Sequence, residues 1–101
     1  MNAANVKILY TGENAVEADA LLFALCSQHL IAGACTYNVS TCIWIGGQLT
    51  KGNGVTIEGA TKPEYVNKIS KYLKDKDAVL KFVSVNDVTD ENFIKWFESH
   101  L

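Results

Sequence analysis

The feature that most limits how this chain can fold is the run from residue 32 to residue 60. From Ala32 to Ile45 the side chains alternate with a period of two, Gly46-Gly47 follows, and a second strand-like run extends from Gln48 to Ala60. Two glycines between strand-like runs predict a tight hairpin, because both central residues of a type I′ turn need positive φ. A strand of about 14 residues is ~45 Å long at ~3.3 Å per residue. A folded domain of about 100 residues has a radius of gyration of only ~13 Å. The hairpin must therefore bend sharply or stand out beyond its own core. It carries Val39, Ile43, Trp44, Ile45, Leu49 and Val55, so a projecting hairpin exposes apolar surface and free strand edges, which mark a partner interface. The expectation is a homo-oligomer built through this hairpin, with Val39, Ile43, Trp44, Ile45 and Leu49 in the interface. Lys51-Gly52-Asn53-Gly54 interrupts the return strand and predicts a bulge or twist there.

The flanking segments complete the order. Asn5 to Tyr10 reads as a strand closed by Thr11-Gly12. A helix over 14–30 follows, with Asn14 and Glu17 spaced as a capping box and Val16, Ala20, Leu21, Ala24, Leu25 and Leu30 near 3.6-residue spacing. Thr61, Pro63 and Glu64 open a second helix as a T-x-x-E box with proline in its first turn, and Tyr65, Val66, Ile69, Tyr72 and Leu73 form its apolar face. Ala78 to Val85 is a further strand and Asn86 to Asp90 a turn. Thr89 or Asp90 caps a last helix bearing Phe93, Ile94, Trp96, Phe97 and Leu101. Strand, helix, strand, strand, helix, strand, helix is an α+β order. It predicts a single domain over 1–101, a ferredoxin-like split β-α-β sandwich with an antiparallel sheet, a long hairpin and an added C-terminal helix.

Composition narrows the partners. The 101 residues are 49% hydrophobic and 20% charged, with a formal charge of −2, which fits an ordinary soluble domain. Lys68, Lys71, Lys74 and Lys76 are spaced as the wet face of a helix, and no other basic cluster advertises nucleic acid. No apolar run approaches the ~20 residues of a membrane span, and MNAANVKILYTGEN lacks the pattern of a signal peptide. The expectation is a cytoplasmic protein with neither nucleic-acid nor membrane partner. Three cysteines, an odd number, argue against a disulfide framework.

The stretch Leu30-Ile31-Ala32 through Trp44, continuing to Gly47-Gln48-Leu49, resembles the CutA family of divalent-cation-tolerance proteins. That family carries L-I/A-A-C-x-N, an apolar and proline stretch, then S-x-Y-x-W-x-G-K/E-I, and its hairpin ends in K-T. This chain aligns without a gap from Leu30 to Leu49, and Thr61 falls on the family's threonine. Asp90, Glu91, Asn92, Phe93, Ile94, Lys95, Trp96 and Phe97 follow the family's acidic turn and Y-L-x-W-I close. Gly33 stands at the family's cysteine, Cys35 at its asparagine, Asn38 at the hairpin proline, Gly54 at the acidic residue of the return strand and Ala60 at the lysine of K-T. The H-P-Y-E-x-P-E segment is replaced by KDKDAVLKF. The resemblance implies a divergent member: a homotrimer associated with divalent metal ion tolerance, metal binding and response to metal ions.

The chemical candidates are few. Cys35 and Cys42 are seven residues apart and point to opposite faces of an uninterrupted strand, so they form neither a chelate nor a disulfide. Cys26, among Leu22, Leu25 and Leu30, reads as a small buried apolar residue. Cys35 lies on the strand face of the family's cysteine, and thiolates suit Cu(I) and Zn. Pairing through Gly46-Gly47 brings residue 35 beside residue 58, which makes Cys35 and Glu58 the candidate metal ligands. No cofactor is required; a divalent or Cu(I) ion is the candidate. The alternative is a regulatory module similar to the PII signalling proteins, holding a small ligand in clefts between subunits through Tyr37, Glu58 and Lys62. His29 and His100 read as surface residues, and Trp44 and Trp96 as core or subunit anchors. The Thr11-Gly12-Glu13-Asn14 loop offers only a generic anion site. No nucleophile, acid and base set is evident, so a non-enzymatic role is expected.

Overall fold

The computed structural model describes residues 1–10, 15–74 and 78–101. These form β1 (Asn2–Tyr10), α1 (Ala15–Ser27), β2 (Gly33–Ile45), β3 (Gln48–Thr61), a 3-10 turn (Pro63–Tyr65), α2 (Val66–Tyr72), β4 (Ala78–Asp87) and α3 (Glu91–His100). The strands make one antiparallel sheet in the order β2-β3-β1-β4. This is the split β-α-β arrangement expected from the sequence, because β1 and β2 flank β3 and α1 crosses between them.

Alternation on the two central strands sets the layers. Val6, Ile8 and Tyr10 of β1 and Val55 and Ile57 of β3 pack with Ala18, Leu21 and Leu25 of α1, Ile31, and Ile69 and Leu73. Ile8, Leu25, Ile57 and Ile69 are fully buried, and each such side chain contributes about 1.5–3 kcal/mol of transfer free energy. The buried stripe of α1 thus runs through Ala18, Leu21 and Leu25, whereas Ala20 is exposed and Ala24 half-buried. That is a rotation from the expected face. The opposite face of the sheet bears Asn5, Lys7, Cys35, Tyr37, Glu58 and Phe82. α3 reaches its end at Gly33, where a Cβ would lie 2.9 Å from Trp96 Cζ2, while Cys35, Tyr37 and Phe82 are exposed.

Helix ends follow local chemistry. α1 ends in a Schellman motif: Leu30 N–H donates to Leu25 O, His29 N–H donates to Cys26 O, and His29 takes a φ of 57°. Asp90, not Thr89, caps α3 by accepting from Phe93 N–H at 3.0 Å. The capping box expected at Thr61 does not form. Thr61 is the last residue of β3, fully buried, and its hydroxyl donates to Leu30 O. Lys62 precedes the turn and makes no side-chain cap. Asn14, proposed to cap α1, lies outside the described residues, as does the Thr11–Asn14 loop. Glu17 instead accepts from the Tyr10 hydroxyl at 2.7 Å.

The hairpin projects. β1 pairs with β3 only between Val55 and Thr61, while β2 and β3 stay paired out to Ile45 and Gln48. Residues 39–45 and 48–54 therefore form a two-stranded arm beyond the sheet, and the molecule measures 45 × 24 × 23 Å. Gly46 and Gly47 have φ of 57° and 79°, as a type I′ turn requires. The bulge expected at Gly52-Asn53-Gly54 is absent, since the register is unbroken from Gly33–Ala60 to Ile45–Gln48. Gly54 serves another purpose: a Cβ there would lie 3.1 Å from Leu9 Cδ1 and from Tyr10 O, so glycine admits the end of β1. The register irregularity sits on β4, where Leu9 pairs with Leu80 but Tyr10 pairs with Ala78. Asn86 and Asp87, expected in a turn, extend β4.

Candidate functional site: the open sheet face and the arm

One row of residues crosses all four strands on the face away from α1. Cys35 faces Glu58 across β2 and β3, Glu58 faces Lys7 across β3 and β1, and Lys7 faces Phe82 across β1 and β4. The sheet period forces this, because directly opposed residues share a face. Glu58 is the centre. Its Oε1 accepts from the Tyr37 hydroxyl at 2.9 Å and its Oε2 from Asn5 Nδ2 at 3.2 Å. These hydrogen bonds, Tyr37's first and then Asn5's, hold the carboxyl below its usual range, and the Lys7 charge adds to the effect. The same bond pushes the Tyr37 phenol above its ordinary value, chiefly because it donates to the carboxylate. Glu58 is therefore an ionised acceptor flanked by a thiol on one side and an ammonium on the other. Two shallow depressions lie beside Lys7. One of about 480 Å³ is lined by Asn5, Lys7, Phe82, Val83 and Ser84, and the other, of about 340 Å³, includes Tyr37, Val39, Thr56 and Phe82 in its walls.

Of the residues singled out from sequence, Cys35, Tyr37 and Glu58 come together and Lys62 does not join them. The Lys62 ammonium donates to Leu101 O at 3.3 Å and sits 5.5 Å from the Tyr65 ring centroid. Asn5, Lys7 and Phe82 were not found by sequence reasoning. Their signal is alternation within β1 and β4, which becomes informative only once the order β3-β1-β4 is known. As metal donors, Cys35 and Glu58 are two, and among the described residues no three His, Cys, Asp or Glu side chains converge. A thiol and a carboxylate are half of a tetrahedral set. Cys35 and Cys42 are both exposed and unpaired, and the unbroken register puts them on opposite faces. Cys26 is half-buried, and burial raises its thiol pKa, as suits a small apolar residue.

Gly33, where the family carries cysteine, is occupied in a different way. A Cβ there would lie 2.9 Å from Trp96 Cζ2, so the indole of α3 lies against the strand backbone. Trp96 in turn packs with Phe93 and His100 at centroid distances of 5.6 and 6.0 Å. His29 Nδ1 lies 3.0 Å from His100 O, which ties the end of α1 to the end of α3.

The arm displays apolar residues on both faces. Val39, Ile43 and Ile45 continue the face of Tyr37, whereas Trp44 and Leu49, a directly opposed pair, lie on the other. Trp44 is 74% exposed, Leu49 57% and Ile45 52%; Val39 and Ile43 are half-buried. No helix of the described residues is long and apolar enough to cross a membrane.

Neither a family model nor a curated relative matches the sequence. Solved structures do match. CutA1 from Oryza sativa superposes with a TM-score of 0.82 at 10% identity, over 99% of this chain and 94% of that one. The periplasmic divalent cation tolerance protein CutA from Archaeoglobus fulgidus gives 0.80 at 13% identity, over 97% of each chain. The divalent cation tolerance protein from Thermus thermophilus gives 0.78 at 13%, over 99% of this chain and 98% of that one. End to end, and with little sequence in common, this chain has the CutA fold that its sequence resemblance led one to expect.

Proposed function

We propose that the chain is a non-enzymatic protein of the divalent-cation-tolerance type, acting as a homotrimer held together by the β2–β3 arm. The observation that carries this reading is the two-faced arm. Trp44 and Leu49 on one side and Ile45 on the other are too exposed for a free monomer surface of this size. A hairpin with two apolar faces is suited to lie between neighbouring copies. The structural neighbours named for divalent cation tolerance support the metal side of the proposal. Cys35 and Glu58 are its donors, and further copies supply the ligands one chain lacks. The exposed free thiols favour a reducing compartment such as the cytoplasm, although the Archaeoglobus protein is described as periplasmic.

Light scattering tests the assembly. A mass three times the chain's 11.1 kDa is expected at micromolar concentration, and Trp44→Glu should shift it toward the monomer. A monomeric wild type would end the proposal. Titration of the oligomer with Zn or Cu(I) tests the site: Cys35→Ser should weaken binding, and unchanged affinity would remove Cys35 from it.

A further inference from the structure

The helical layer holds a groove that neither the arm nor the open sheet face involves. It has a volume of about 320 Å³ and is lined by Tyr10, Glu17, Ala20, Leu21, Ala24 and Tyr72. Its floor is apolar and low, because Ala20 and Ala24, one turn apart on α1, carry only methyl groups where larger side chains would fill the space. Tyrosines line it from β1 and α2. At one end Glu17 presents a carboxylate whose direction is fixed, since its Oε2 accepts from the hydroxyl of Tyr10 at 2.7 Å and Tyr10 is 6% exposed.

We propose that this groove binds an aliphatic ammonium ion, with the charged head at Glu17 and a short hydrocarbon tail over Ala20, Leu21 and Ala24. Three features select that chemistry. The carboxylate demands a cation, aromatic rings attract one, and the methyl-lined floor favours a chain of methylenes over a polar body. The α1 macrodipole opposes a cation at its N-terminal end. Its effective charge there is only about half a unit, and the full negative charge of Glu17 in the first turn outweighs it. None of the residues that line the groove belongs to the β2–β3 arm.

The test is an amide chemical-shift titration of the assembled protein at low salt, with n-pentylammonium as the free amine and Nα-acetyl-lysine methylamide as a peptide-borne one. Saturable shifts at Ala20 and Ala24 are expected with at least one probe, and which binds more tightly identifies a free amine or a lysine side chain as the source. The neutral isostere 1-pentanol should bind several-fold more weakly. Glu17→Gln keeps an acceptor for Tyr10 while removing the charge, and should weaken binding about fivefold, as expected for a solvent-exposed ion pair. Ala24→Leu, which fills the floor from a half-buried position, should abolish the shifts while the rest of the spectrum is preserved. Non-saturating shifts with both amines, equal binding of the alcohol, or an unaffected Glu17→Gln would each overturn the proposal.

Discussion

Replacing Gly59 with alanine adds one methyl group at the most crowded backbone position of the sheet. The new Cβ would lie 2.7 Å from Ala34 Cβ, 2.7 Å from Gly33 O and 2.7 Å from Ile31 Cγ2. None of these atoms moves aside easily: one is main chain, one has no side-chain torsion, and one sits on a β-branched residue that is stiff at χ1. Relief must come from shifting β2 against β3 where Ile31 enters the core. Overpacking of this kind costs about 1–3 kcal/mol, and three simultaneous contacts place Gly59→Ala at the upper end. Alanine regains about 0.5–1 kcal/mol over glycine in a strand, leaving a net loss of about 2 kcal/mol. For a domain of this length that is a fall in Tm of about 10 °C. The assay is thermal unfolding by circular dichroism at fixed protein concentration, since an oligomer's Tm depends on concentration. Gly52→Ala is the matched control. Its Cβ would meet only Thr41 Oγ1, at 3.4 Å, so its Tm should hold or rise slightly. A Gly59→Ala protein that melts with the wild type would refute the reasoning.

Other outcomes follow from single contacts. Asp90→Ala removes the acceptor for Phe93 N–H and should cost about 1 kcal/mol, read as a lower midpoint in urea. At Gly46, where a Cβ meets nothing within 4 Å, alanine isolates the backbone cost of positive φ, about 1 kcal/mol, and asparagine should cost less. Because folding lowers the Glu58 carboxyl pKa, its contribution to stability is present above the unfolded-state value and is lost as pH falls through the folded one. Tyr37→Phe removes the first cause of that shift, so the Glu58 titration, followed by carbon NMR, should move up in pH; an unmoved titration would contradict the assigned bond.

The architecture was legible because each signal was local. The change of period at Ala32, the Gly46-Gly47 pair and the helix patterns fixed the order of elements and the length of the arm. The errors arose where a residue's partner was distant in sequence. Thr61 reads as a helix cap by its spacing to Glu64, yet it ends β3 because its hydroxyl reaches Leu30 O. Gly54 reads as a bulge, yet it is a glycine because Leu9 and Tyr10 approach it from β1. In the candidate site, Cys35 and Glu58 could be paired by counting from a two-residue turn. Asn5 and Lys7 could not, because β1 joins β3 across 44 or more intervening residues and no count through a helix gives that register. Within one chain a backbone oxygen of Leu101 holds the Lys62 ammonium, and a cleft between subunits, where Lys62 is expected beside Tyr37 and Glu58, is not a feature of the single chain.

The unequal reach of the strand pairings has a consequence for how the chain acquires its shape. The arm closes through a loop of two residues, whereas β1 and β4 join Asn2 to Asp87. On the logarithmic scaling of loop closure, the second pairing costs about 3 kcal/mol more chain entropy than the first. Folding should therefore begin at the arm and finish at β4, which pulsed hydrogen exchange can check by asking whether residues 40–53 are protected before residues 82–87. In that order the most adhesive element of the molecule is formed while the rest is still open, and the yield of correctly folded chains becomes a contest between domain closure and encounters among nascent arms.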